Sequence, residues 1–278
     1  MLKRLIYYTF EKIKIKNRPL FNLNFYRKIS YLINKKLWRK YSESKKIKSI
    51  KLNVLEKQFI TNGYCKIPKI NEGSLNKFLC YLNENFDLTI NDELKKSQIE
   101  IVKYQQLNQK KLLEFLRTAE IHKILRNYIG YDPMLFGASV IGTNPTKNNS
   151  GSQLFHFDNI EEKSIRVILL LSDVCQENGP TTIIKKDKSS EIADAVNYYK
   201  RKDYASIMDE EFDIREEDKI HLTGKKGDVF LLDTFACLHS GGRTNKGQRL
   251  VFMATVGKGL FTNLRWMYKG KYDYGTKI

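Results

Sequence analysis

From Leu52 onward the apolar positions follow two different periods, and the change falls near Pro133. Between Leu52 and Gly130 the spacing is mostly helical, which predicts helices over Leu55–Ile60, Leu75–Phe86 and Lys110–Ile129. A short strand, Tyr64–Ile67, is predicted after Asn62-Gly63, and Gly130 suits a left-handed helix cap. Beyond Pro133, short apolar runs alternate with turn residues: Met134–Ile141, Gln153–Phe157, Ile165–Leu171, Thr181–Ile184, Asp228–Asp233 and Arg249–Val256. Asn148-Asn149-Ser150-Gly151, Glu177-Asn178-Gly179-Pro180 and Gly241-Gly242 punctuate them. That texture predicts an antiparallel sandwich or barrel carrying an N-terminal helical part, so the fold class is mainly β with α. The polar stretch Asp187–Lys219 reads as an insertion between strands, a usual place for a lid or binding loop.

Charge divides the 278-residue chain differently. Its net charge is +18, but residues 1–50 hold 15 Lys and Arg against Glu11 and Glu43, which is +13. The remaining residues carry 34 basic and 29 acidic side chains, only +5. The expected organisation is therefore a basic, helical arm over 1–51 and one domain over 52–278. That domain divides into a helical part (52–130), a β core (131–256) and a tail (257–278). Tyr7, Phe10, Phe25 and Trp38 interleave with the charges of the arm, and Pro19 splits it. Such a segment suits an anionic membrane surface, or it packs one apolar face on the body. Nucleic acid is the least favoured partner, because no recognition motif accompanies the charge.

Hydrophobic residues at 41% exclude wholesale disorder. No apolar run approaches the ~20 residues of a membrane span, and no secretory signal follows Lys3-Arg4. Cys65, Cys80, Cys175 and Cys237 lack paired spacing, so a disulfide framework or zinc knuckle is not expected and a cytoplasmic location is.

Of the four histidines, His156 lies in Phe155-His156-Phe157-Asp158. On a strand, a period of two puts His156 and Asp158 on one face and both phenylalanines on the other. One imidazole and one carboxylate form two thirds of a 2-His-1-carboxylate metal site. His239 follows 81 residues after Asp158, at the end of Gly227–Asp233 and Cys237–His239, before Gly241-Gly242. Arg249 comes ten residues later, where a hairpin brings its planar fork toward the metal to clamp a carboxylate. Three such ligands leave three positions on Fe(II) open for co-substrates. Asp158 also matters by its presence, because a small residue there would admit halide.

Gln153–Asp158, Glu177-Asn178-Gly179-Pro180, Gly227–Asp233, His239-Ser240-Gly241-Gly242 and Arg249 together resemble the phytanoyl-CoA dioxygenase (PhyH-like) family. The likeness extends upstream through Leu55–Pro68 and covers roughly residues 52–256. It implies a double-stranded β-helix (jelly-roll, cupin-like) core, non-haem Fe(II), 2-oxoglutarate and O2, with succinate and CO2 as co-products. It further implies His156, Asp158 and His239 as iron ligands and Arg249 as the 2-oxoglutarate clamp. The expected function is hydroxylation of a small molecule, lipid or sugar-linked metabolite. A nucleic-acid demethylase and a non-catalytic jelly-roll module are the alternatives. Lys185-Lys186-Asp187-Lys188-Ser189 stands where the family often has a Pro-Gly-Ser-His turn. Lys163 and Arg166 read as solvated charges, Arg243 as facing solvent or the substrate mouth, and Cys237 as a small buried residue sharing the strand face of His239. His122 and His221 read as ordinary hydrogen-bonded histidines.

Overall fold

A computed structural model describes residues 52–90, 98–130, 132–145, 151–158, 163–195, 214–257 and 276–278. The 1–51 arm, most of the 257–278 tail and the middle of the 187–219 insertion lie outside the described residues. In chain order come α1 (Val54–Asn62), β1 (Tyr64–Ile67), α2 (Glu72–Asn85), β2 (Gln98–Val102), α3 (Gln109–Leu116), α4 (Ala119–Ile129) and β3 (Met134–Thr143). Then follow β4 (Ile165–Leu170), β5 (Thr182–Ile184), α5 (Lys186–Ala195), β6 (Lys219–His221), β7 (Val229–Asp233), β8 (His239–Ser240), β9 (Arg249–Gly257) and β10 (Thr276–Lys277).

Two antiparallel sheets face each other. The larger runs β1-β7-β4-β9-β3-β10, with β2 also paired to β3, and the smaller runs β6-β5-β8. The segment around His156 extends the smaller sheet through a bridge to His239. From β3 to β9 the chain passes back and forth between the sheets, and this alternation is the jelly roll that the sequence leads one to expect.

Period two sorts β4, Ile165-Arg166-Val167-Ile168-Leu169-Leu170, onto two surfaces. Ile165, Val167 and Leu169 join the core beneath the helices, whereas Ile168 and Leu170 join the core between the sheets. Both faces are covered, so the strand reads as continuously apolar apart from Arg166. On the outer side, Phe78 of α2 stacks on Phe115 of α3 at 4.6 Å, and both meet Phe252 of β9 edge-on. These contacts tie the helical cap to the large sheet, and each aromatic pair adds about 0.5–1.5 kcal/mol beyond its buried area.

The helix expected over Lys110–Ile129 is two helices, broken at Arg117-Thr118. Leu112, Phe115 and Leu116 form the buried stripe of α3, and Ile121, Ile124, Leu125 and Tyr128 that of α4. At ~100° per residue these stripes lie roughly half a turn apart, so one straight helix could not bury both. Gly130 caps α4 with φ 79°, as the sequence predicts.

The segment Gln153–Phe157 is not a regular strand. A 3-10 turn occupies Gly151–Gln153, and the His156 bridge follows. The alternation nonetheless holds, since Phe155 and Phe157 are buried with Ile192, Ala193, Ile214 and Leu238. Lys186–Ala195 forms α5 where the family resemblance would place a Pro-Gly-Ser-His turn, and β6 already begins at Lys219. The described parts of the insertion thus cover the outer face of the smaller sheet. None of the described helices is long and apolar enough to cross a membrane.

Candidate metal and co-substrate site

His156 and His239 are brought together by their backbones. Each donates its N–H to the other's carbonyl, at 2.9 and 3.0 Å, and their ring centroids lie 4.4 Å apart. The Asp158 N–H donates to Thr234 O at 2.9 Å, which fixes the carboxylate beside them. The metal-ligating atoms of His156, Asp158 and His239 all lie within 4.8 Å of one another.

Hydrogen bonds fix the imidazole tautomers. His156 Nδ1 lies 2.8 Å from Leu154 O, and His239 Nδ1 lies 3.0 Å from Cys237 O. A carbonyl oxygen only accepts, so each Nδ1 carries a proton, and in a neutral ring the lone pair then sits on Nε2. His156 Nε2 stands 3.8 Å from Asp158 Oδ1. Burial, then the neighbouring His156, pushes the His239 imidazole down to about 3. Burial opposes the charge on Asp158, but Arg166 and the two imidazoles hold its carboxyl well below the usual range. Two imidazoles and one carboxylate are a donor set that fits a divalent first-row metal such as Fe(II).

Arg249 is only 2% exposed. Its Nη1 donates to Thr181 Oγ1 at 2.9 Å, while Nε has no hydrogen-bond partner among the described residues. Burial pushes the guanidinium down to about 10, so it remains a cation at neutral pH. A buried cation without a counter-charge costs several kcal/mol, and this one fits a site completed by an anionic ligand. A cavity of about 720 Å³ joins Arg249 and Thr181 to His156, Asp158 and His239.

Arg166 differs from its sequence reading as a solvated charge. It projects into the same cavity, donating from Nε and Nη2 to Asp158 Oδ2 at 3.0 and 2.9 Å. Lys163 reaches the Tyr128 carbonyl at 2.5 Å and lies over the Tyr128 ring. Arg243 points away from the mouth: its Nε donates to Gln153 O, and its guanidinium covers Phe155 at 4.8 Å. Cys237 is buried as expected but precedes β8, so it shares no strand face with His239. His221 joins Thr182 and Glu216 through its two ring nitrogens. Strand β2, which the sequence reading passes over, brings Gln98 and Glu100 to the cavity.

A jelly roll that holds two histidines and an aspartate beside a buried arginine has the architecture of non-haem iron, 2-oxoglutarate-dependent enzymes. Residues 135–251 match the phytanoyl-CoA dioxygenase (PhyH) family model, and over that span the chain is similar to a family of enzymes that use Fe(II), 2-oxoglutarate and O2. All four candidate site residues fall within the match. No curated protein sequence matches the chain.

Solved structures share the fold. HygX from Streptomyces hygroscopicus with iron bound has a TM-score of 0.52 at 13% identity, covering 75% of this chain and 87% of that one. The epimerase SnoN, in complex with Fe3+, alpha ketoglutarate and nogalamycin RO, has a TM-score of 0.50 at 16% identity, covering 77% and 87%. The carbocyclase SnoK from nogalamycin biosynthesis also scores 0.50, at 12% identity, covering 82% and 93%. At such identities the likeness is one of fold and assigns no reaction.

Proposed function

We propose that this chain is an Fe(II)/2-oxoglutarate-dependent hydroxylase of a small molecule, with His156, Asp158 and His239 as the iron ligands and Arg249 as the co-substrate clamp. The observation that carries this reading is the pair of Nδ1–H bonds to backbone carbonyls, which leaves both Nε2 lone pairs available beside a carboxylate. When bound, iron and 2-oxoglutarate supply the oxidising equivalent that inserts one atom of O2 into a substrate C–H bond, releasing succinate and CO2. Arg249 and Thr181 would receive the distal carboxylate of 2-oxoglutarate, neutralising the buried cation. The apolar floor of the cavity, Ile141, Ile168, Leu232 and Met253, would exclude water near the reacting carbon. Asp158 fills the position that halide chemistry needs vacant, which favours hydroxylation.

Gln98, Glu100, Lys103 and Gln105 line the other end of the cavity. An apolar floor with a hydrogen-bonding rim favours a polar, sugar-linked metabolite over a bare lipid. The basic arm would hold the enzyme at an anionic membrane surface without entering the chemistry.

Anaerobic titration of the full chain with Fe(II) and 2-oxoglutarate tests the centre. The expected result is a weak visible charge-transfer band that disappears in Asp158→Ala and His239→Ala. No band in the wild type, or the same band in both variants, overturns the assignment. Coupled succinate formation across polar and lipid substrates then tests the substrate class.

A further inference from the structure

Asp158 is held by more than its backbone. It follows the His156 bridge without belonging to a named strand, and its N–H makes one bond, to Thr234 O. The carboxylate has two inequivalent oxygens. Oδ1 faces His156 Nε2 at 3.8 Å, whereas Oδ2 receives Nε and Nη2 of Arg166 at 3.0 and 2.9 Å. The third guanidinium nitrogen, Nη1, donates to Thr255 Oγ1. Thr255 is buried on β9 and stands directly opposite Arg166 in the β4–β9 register. Arg166 therefore spans from the wall of the large sheet to the carboxylate, anchored at both ends.

We infer that Arg166 is a positioning residue for the metal centre: by occupying Asp158 Oδ2 it reserves Oδ1 as a single-oxygen metal ligand. The inference rests on the metal-centre reading above. Without the guanidinium only the Thr234 side chain, among the described residues, would remain to restrain the carboxylate, which could then turn about its χ2 and offer either oxygen, or both. Partners of this kind orient a metal-bound group, and losing one typically weakens metal binding about 10- to 100-fold. Thr255 contributes at one remove, by holding the guanidinium in plane with Oδ2.

The test measures Fe(II) affinity and the visible band of the Fe(II)·2-oxoglutarate complex in full-length Arg166→Met, Arg166→Lys and Thr255→Val, with thermal melting on each. Arg166→Met is expected to bind Fe(II) about tenfold or more weakly and to shift the band. Arg166→Lys should recover part of the affinity, because an ammonium can still donate to Oδ2. Thr255→Val, which leaves Asp158 and Arg166 in place, should weaken binding less and shift the band in the same direction. Wild-type affinity and band position in both Arg166→Met and Thr255→Val overturn the inference. So does a loss in Arg166→Met that lysine does not relieve. Asp158→Ala is the separate control: if it binds Fe(II) like wild type, the metal-centre reading fails, whatever the Arg166 variants do.

Discussion

Gly242 lies directly against the Arg249 guanidinium: a Cβ on Gly242 would stand 2.8 Å from Arg249 Cζ and 2.8 Å from Gly179 O. Gly242, the second residue after β8, thus has a function that its backbone angles do not reveal. It leaves the volume that the Arg249 guanidinium occupies.

Gly242→Ala is accordingly expected to raise the KM for 2-oxoglutarate while leaving Fe(II) affinity near wild type, since the His156–His239 bridge lies upstream of the clash. Overpacking of this kind costs about 1–3 kcal/mol of stability. A double-mutant cycle with Arg249→Met checks the mechanism. The two stability losses should be less than additive, because removing the guanidinium removes one of the two clashes. Strict additivity would show that the alanine acts elsewhere.

Arg249 itself carries a trade between stability and binding. Its cation is buried with Thr181 as a neutral partner, and its Nε is without one among the described residues. Arg249→Met removes an uncompensated charge and keeps most of the volume. The substituted chain without 2-oxoglutarate is expected to melt at or above the wild-type temperature. Added 2-oxoglutarate should raise the melting temperature of the wild type and not of the variant. The KM for 2-oxoglutarate should rise about 10- to 100-fold in Arg249→Met and about fivefold in Thr181→Val, in proportion to the charged and neutral hydrogen bonds lost. Equal 2-oxoglutarate stabilisation of wild type and Arg249→Met would remove the clamp assignment.

These residues were unequally visible in the sequence. His156 and Asp158 could be placed on one face because alternation survives even where no regular strand forms; Phe155 and Phe157 enforce it by burying on the other side. Arg249 was legible as the first residue of an apolar strand. Arg166 reads as a solvated charge in the sequence because a lone cation in a strand ordinarily marks a solvated face. Yet Ile168 and Leu170 share its face, and a charge there lies inside the barrel. The phase slip between Leu112-Phe115-Leu116 and Ile121-Ile124-Leu125 was also present, and it requires the break at Arg117-Thr118. Strand β2 does alternate, with Gln98 and Glu100 on the cavity and Ile99 and Ile101 against the core, but five residues with only two or three apolar ones are too short a run to stand out beside the helical pattern around them. Gly242 was seen as a turn residue, but its contact with Arg249 exists only once the hairpin closes.

The basic arm gives a prediction independent of the active site. Thirteen net positive charges in residues 1–50, each contributing up to ~1 kcal/mol near an anionic surface, are enough for peripheral binding. The full chain is expected to co-sediment with phosphatidylserine-containing vesicles and not with phosphatidylcholine vesicles, and added salt should weaken the binding. A chain lacking residues 1–50 should stay in the supernatant with 2-oxoglutarate turnover unchanged. Co-sedimentation of the truncated chain would place the membrane contact on the body instead.

A buried acid away from the metal site governs the last expectation, which concerns pH. Asp233 is 1% exposed. It accepts from the Tyr128 hydroxyl and from the Phe235 and Ala236 N–H groups, with Lys186 nearby. Burial outweighs these partners and raises its carboxyl above the ordinary value of 3.8. Between the unfolded and folded values, the folded chain binds more protons than the unfolded one, so this group's contribution to stability falls as pH rises through that window. Below the unfolded value the contribution is fully present; above the folded value it is lost. Asp233→Asn keeps the shape and removes the titration. The melting temperature of the variant relative to wild type should therefore increase as pH is raised from just below the ordinary carboxylate value. A difference that shrinks would show that Asp233 is held as a stabilised anion, with Tyr128 and Lys186 outweighing its burial, and one that stays constant would show that burial and these partners cancel.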